Sequence, residues 1–81
     1  MNLNTFIENF IEAVEIEDVS TIEPTTVFRD IEEWDSLAAL STIAMADEEY
    51  GVTITNKDLK EAETIERLWQ LIERKKNNHA A

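Results

Sequence analysis

Two blocks of this chain carry apolar residues that return every three or four positions, and that spacing restricts the fold more than any other property of the sequence. Phe6, Ile7, Phe10, Ile11 and Val14 make one stripe, with Glu8 and Glu12 turned outward, and Ile65, Leu68, Trp69, Leu71 and Ile72 make the other. Such a stripe belongs to an amphipathic helix that must bury one side against a neighbour. The chain has no cysteine, so neither disulfides nor a cysteine-based metal site can staple it, and packing of these faces has to supply the stability. At 81 residues the chain suffices for one small domain.

Helix ends can be read from the residues that flank the stripes. Asn4 or Thr5 can cap the first helix, and a second helix runs from Ser36 to about Tyr50, where Gly51 supplies a left-handed stop. Thr55 or Asn56 caps a short third helix through Glu61, and Thr64 caps the fourth, whose Lys75 and Lys76 near its end suit the helix dipole. In the second helix, Leu37, Leu40, Ile43 and Tyr50 are expected on a common face toward the other helices, with Ala38, Ser41, Met45 and Glu48 on another side. A long connection from Glu15 to Trp34 holds the only proline, Pro24, and is anchored by Val19, Ile22, Val27, Phe28 and Ile31. A loop of that length either packs or works, and Trp34 is expected to pack over it. Strand signals are limited to Val52 to Ile54 and lack a partner. The expected fold is all-α: a small four-helix bundle of three longer helices and one short helix, with the long loop between helices one and two. Residues 1–76 form the domain, and 77–81 form a polar, frayed tail.

Charge is distributed unevenly. Residues 1–49 hold thirteen acids against the single base Arg29, a net of −12, whereas residues 50–81 come to +1. An acidic field of this kind repels nucleic-acid phosphates and anionic membranes and speeds association with basic protein patches. No apolar run approaches a membrane span and the N-terminus lacks the features of a secretory signal, so a cytoplasmic protein is the expectation.

The chemistry centres on Asp35-Ser36-Leu37, which puts an exposed serine at the mouth of the second helix. Asp and Ser cap countless unrelated helices, so the tripeptide acquires meaning only from its downstream residues: a helix closing in Asp47-Glu48-Glu49, then Tyr50 with Gly51, then Ile54 in a loop. Phe28 and Asp30 precede it. This order, from Leu3 to about Arg74, resembles the acyl carrier proteins of the phosphopantetheine-binding carrier family. The resemblance implies a serine, here Ser36, that carries a 4'-phosphopantetheine arm delivered from coenzyme A by a phosphopantetheinyl transferase with Mg²⁺. It implies a carrier with no catalytic activity of its own, holding acyl groups as thioesters in fatty acid or related polyketide-type or specialised biosynthesis, as a monomer. Partner recognition would fall to Asp35, Leu37, Asp47, Glu48 and Glu33, which meet basic docking patches on acyl-loading and acyl-processing enzymes. Phe28, Leu40, Ile43, Ile54, Leu59, Ala62, Ile65 and Leu68 read first as core; in the family the corresponding region parts to shelter an acyl chain.

Several alternatives compete. A nucleophilic Ser36 needs a base, and the only histidine, His79, sits in the tail. Consecutive acids at 47–49 point in different directions and lack the spacing of a calcium loop. An aminoacyl or peptidyl carrier shares the serine and differs in its loading enzyme, and an arm-free interaction module would share the bundle alone. The family's bacterial fatty-acid members usually show Gly-x-Asp-Ser-Leu with acids early in the helix, whereas this chain has Glu33-Trp34-Asp35-Ser36-Leu37 followed by Ala38 and Ser41. The early surface is less acidic, which leaves a specialised carrier, serving a dedicated acyl or aminoacyl ligase or a polyketide-type pathway, beside general fatty acid synthesis.

Overall fold

The computed structural model describes the backbone of residues 2–79 and the side chains of residues 2–77. Four helices, α1 (Leu3–Val14), α2 (Ser36–Tyr50), α3 (Asn56–Ala62) and α4 (Ile65–His79), follow one another in that order, with two single-turn 3₁₀ segments at Val19–Thr21 and Phe28–Asp30 in the long connection. Among the described residues the only β pairing is an isolated bridge between Val27 and Thr64. The fold is therefore the all-α bundle expected, with three longer helices and one short one.

α1 starts earlier than its sequence suggests. Asn2, not Asn4 or Thr5, is the cap, its Oδ1 accepting the Thr5 N–H at 2.7 Å. The apolar stripe begins one turn sooner, at half-buried Leu3, so the cap moves with it. Phe6, Phe10 and Val14 are buried and Ile7 and Ile11 half-buried, as the stripe requires, while Glu8 and Glu12 face solvent or its margin. The helix stops at Glu15 in the left-handed region (φ 58°). The next residue, Ile16, donates its N–H back to Ile11 O at 3.1 Å and buries its side chain. This six-to-one closure with an apolar contact is a common C-terminal stop, here built without glycine.

α2 obeys its expected ends but only part of its expected faces: Ile43 and Tyr50 pack against the core as expected, and Leu37 and Leu40 do not. Asp35 caps it and Gly51 (φ 66°) closes it. Ala38, Thr42, Met45 and Ala46 face the core, while Leu37 and Leu40 are 68% and 61% exposed. The reason is geometric: at 100° per residue, positions 38, 42 and 45 lie within a narrow sector and 37 and 40 lie on the far side. Thr42 is wholly buried without an orphaned hydroxyl, because its Oγ1 donates to Ala38 O at 2.9 Å.

Three aromatic residues gather where the long loop meets α1. Phe10 stacks on Trp34 (ring centroids 6.1 Å apart, planes 12° apart), and Phe28 meets both edge-on at 6.1 and 5.0 Å. Trp34 thus packs over the loop as expected. Val19, at 54% exposure, and Val27, at 38%, do not anchor the loop through their side chains; Phe28 and Ile16 hold it, with Ile22 and Ile31 half-buried. A seam of main-chain bonds also holds it to the α3–α4 junction: Phe28 N–H to Glu63 O (3.2 Å), Ile65 N–H to Thr26 O (3.1 Å) and Glu66 N–H to Pro24 O (2.9 Å).

Thr55 opens α3 with a full capping box, its hydroxyl accepting from Asp58 N–H and the Asp58 carboxylate accepting from Thr55 N–H. Thr64 opens α4, its Oγ1 accepting the Arg67 N–H at 3.2 Å. Ile65, Leu68 and Ile72 are fully buried, and Trp69 and Leu71 pack against them. α4 continues through residues 77–79, past the boundary at 76 drawn from the sequence, and residues 80 and 81 lie outside the described residues. Lys75 consequently sits one turn inside the helix, where it forms an ion pair with Asp58.

Candidate functional site

Ser36 is the first residue of α2 and is exposed. Its position is set by the residue before it. Asp35 adopts an extended conformation (φ −151°) and turns its Oδ1 onto the Ala38 N–H at 2.8 Å, while its own carbonyl accepts the Ala39 N–H at 3.0 Å. Those two bonds satisfy two donors of the first turn. The N–H groups of Ser36 and Leu37 donate to no protein acceptor among the described residues, and Ser36 Oγ forms no hydrogen bond there either. An accessible hydroxyl therefore stands beside two free amides at the positive end of a 15-residue helix, a setting that suits a phosphate ester. The cap uses one oxygen of Asp35 and leaves Oδ2 for a partner, so capping and docking are compatible.

From Ser36 the outer side of α2 runs through Leu37, Leu40 and Ala44 to Asp47 and Glu48, all exposed. Eleven to twelve residues at 1.5 Å each put the acidic end about 17 Å from the serine. Leu40 and Ala44 were missed as surface contacts by sequence reasoning. The signal that locates them is the sector of Ala38, Thr42 and Met45 on the opposite side. Glu33 is less available than expected: it is half-buried, and its Oε2 accepts the Glu17 N–H at 2.9 Å, tying the two ends of the long loop. The acidic half is not neutralised internally. Its one base, Arg29, spends its guanidinium on Lys60 O (3.1 Å), and the one ion pair among the described residues joins Lys75 to Asp58 in the other half.

The residues expected to line an acyl cleft divide. Phe28, Ile54, Leu59, Ala62, Ile65 and Leu68 are buried in one core cluster, with Ile43 half-buried against it. Leu40 is not among them, since its side chain projects outward from α2. The cluster is packed core. An open groove of about 510 Å³ lies elsewhere, between α1 and α2, lined by Asn9, Glu12, Ala13, Ser41, Ala44, Met45, Glu48 and Glu49.

The acidity of the Asp58 carboxyl is clearly displaced. Burial pushes its pKa up, but the Lys75 ammonium at 2.6 Å and the Thr55 N–H outweigh burial and hold it below the ordinary carboxylate value. No group of three or more acidic, histidine or cysteine side chains among the described residues is arranged to hold a metal ion. Among those residues no helix is long and apolar enough to cross a membrane.

A bundle with an exposed serine heading its second helix is the architecture of a carrier domain. Residues 4–72 match the model of the phosphopantetheine attachment site family, and the chain belongs to that family. Its members carry a covalently attached 4'-phosphopantetheine group and work with transferases and processing enzymes, the domain itself not being the catalyst. Comparison with curated proteins gives no match.

Proposed function

We propose that this protein is an acyl carrier whose 4'-phosphopantetheine is attached at Ser36. The observation that carries the assignment is the exposed Ser36 hydroxyl at the head of α2, beside the free N–H groups of Ser36 and Leu37. When bound, the arm supplies a terminal thiol on which acyl groups travel as thioesters, at high effective concentration near each partner's active site. The chain's own residues do the rest. Asp35 fixes the first turn, so that Ser36 is presented outward. The amides at the helix mouth favour the negative phosphodiester that modification leaves behind.

Leu37 and Leu40 beside the serine, with Asp47 and Glu48 farther along, make a docking strip for a partner with an apolar socket near its active-site mouth and a basic residue about 17 Å from the serine's place there. Seven interior side chains, Phe28, Ile43, Ile54, Leu59, Ala62, Ile65 and Leu68, are the wall of an interior that could part to shelter an acyl chain. The apolar start of the strip favours dedicated enzymes of a fatty acid, polyketide-type or specialised pathway, acting on a cytoplasmic monomer.

Intact mass tests the assignment. After incubation with coenzyme A, Mg²⁺ and a broad-specificity phosphopantetheinyl transferase, wild type should gain one phosphopantetheinyl group and Ser36→Ala none. A gain on both proteins would move the attachment to another residue, and a gain on neither across several transferases would leave an arm-free interaction module as the reading.

A further inference from the structure

The two ends of α3 are held in different ways. Its C-terminal end is fixed by main chain, through Phe28 N–H to Glu63 O and the Thr26 and Pro24 carbonyls that accept from Ile65 and Glu66, with Arg29 Nη2 donating to Lys60 O. The N-terminal end has no such seam. From Thr53 to Asp58, the only hydrogen bonds to another part of the chain, among the described residues, come from a single atom. Lys75 Nζ donates to Thr53 O at 3.2 Å and to Asp58 Oδ2 at 2.6 Å. The same Asp58 oxygen accepts the Thr55 N–H of the capping box at 3.0 Å, so one ammonium on α4 holds both the loop and the cap of α3. At the opposite end, Glu63 takes a rarely populated backbone conformation (φ 63°, ψ −61°) between α3 and α4. That is where a pivot would sit: Glu63 centres a tight, rarely populated turn closed by Thr64 N–H to Ala62 O (2.7 Å), and its carbonyl is where α3 meets the fixed seam. Between latch and pivot, Ile54, Leu59 and Ala62 are buried in the cluster that also holds Ile65 and Leu68.

We propose that Lys75 is a latch that decides whether this carrier shelters its cargo: while it bridges Thr53 and Asp58 the interior stays closed and the acyl chain rides outside, and its release lets α3 swing about Glu63 and admit the chain. The proposal rests on the carrier reading for its cargo and on geometry alone for its motion. The ammonium is a suitable latch because it is partly exposed and reversible, at 39% side-chain exposure against 16% for Asp58. A partner's acidic group could compete for it without dismantling the core.

Two measurements test this, each with Lys75→Met, Asp58→Asn and Lys75→Arg beside wild type. In amide hydrogen exchange on the unmodified protein, Lys75→Met and Asp58→Asn should speed residues 53–59 by roughly three- to tenfold, the loss of one partly exposed charged hydrogen bond. Residues 65–72 of α4 should be unchanged, and Lys75→Arg should stay near wild type. Unchanged exchange in 53–59, or an equal rise in α4, would overturn the latch. The proteins are then loaded with octanoyl or acetyl pantetheine arms from the corresponding acyl-coenzyme A. The octanoyl-minus-acetyl methyl shifts at Ile54, Leu59 and Leu68 should be small in wild type and larger in Lys75→Met; equal shifts in the two would overturn the cargo role. If no arm can be installed at all, the carrier reading fails while the exchange result still decides the latch.

Discussion

Leu40→Ala and Met45→Ala make a matched pair on α2, because spacing puts Leu40 on the face toward the other helices and Met45 on another side, while in the structure Met45 is buried and Leu40 exposed. Met45 is 6% exposed and belongs to the core cluster. Truncating a buried methionine loses its transfer energy and leaves a cavity, together about 2–5 kcal/mol. Total stability of a chain this size is of order 4–12 kcal/mol, so this one change removes a large share of it. Leu40 is 61% exposed, and alanine is the better helix former, so Leu40→Ala should stay within about 0.5 kcal/mol of wild type. Urea unfolding followed by far-UV circular dichroism resolves the difference. With a slope of about 1 kcal/mol per molar, Met45→Ala should lower the midpoint by about 2 M or more and Leu40→Ala by less than about 0.5 M. A larger loss from Leu40→Ala than from Met45→Ala would refute the assignment of the α2 faces and, with it, the docking strip.

Asp35→Ala should cost about 1 kcal/mol through loss of the cap on Ala38 N–H, and Asp35→Asn much less. If the transferase then modifies the Asn variant as poorly as the Ala variant, the charge of Asp35 serves recognition as well as capping. Gly51→Ala places a Cβ in open space but at φ +66°, so it should destabilise by roughly 1 kcal/mol from backbone strain alone, measured in the same urea titration. Asp58 is held below the ordinary carboxylate value in the folded protein, and a depressed folded value means that stability is present above the unfolded value and lost as the pH falls through the folded one. Wild type should therefore lose stability more steeply than Asp58→Asn below about pH 4, and parallel curves would show that the Lys75 pair contributes nothing there.

Local signals were legible in the sequence and long-range ones were not. Gly51, Thr55, Thr64 and Asp35 mark helix ends through bonds to residues three or four positions away, so their roles can be read from short stretches of sequence. The faces of α2 could not, because its composition gives little contrast. Buried Thr42 looks polar until its hydroxyl is seen to bond Ala38 O, and exposed Leu37 and Leu40 look like core until the alanines opposite them are seen to fill it. Ser36 was legible as an exposed helix-mouth serine because that property needs only the cap before it. The bonds made by Glu33 and Lys75 were not legible for a common reason: their partners, Glu17 N–H and Asp58, lie sixteen and seventeen residues away, beyond any periodicity argument.

The seam that joins residues 24–28 to residues 63–66 is written in peptide groups and not in side chains. Any residue except proline supplies the same N–H at Phe28, Ile65 and Glu66, and any residue at all supplies the carbonyls of Pro24, Thr26 and Glu63. Sequence change along this line can therefore proceed without unfastening it. Val27 and Thr25, neither of which belongs to the core cluster, are free to drift into whatever surface a new partner requires. A library that randomises these two positions should keep its bundle while proline at Ile65 or Glu66 abolishes it, which makes this loop the natural place for a carrier of this fold to acquire a new client enzyme.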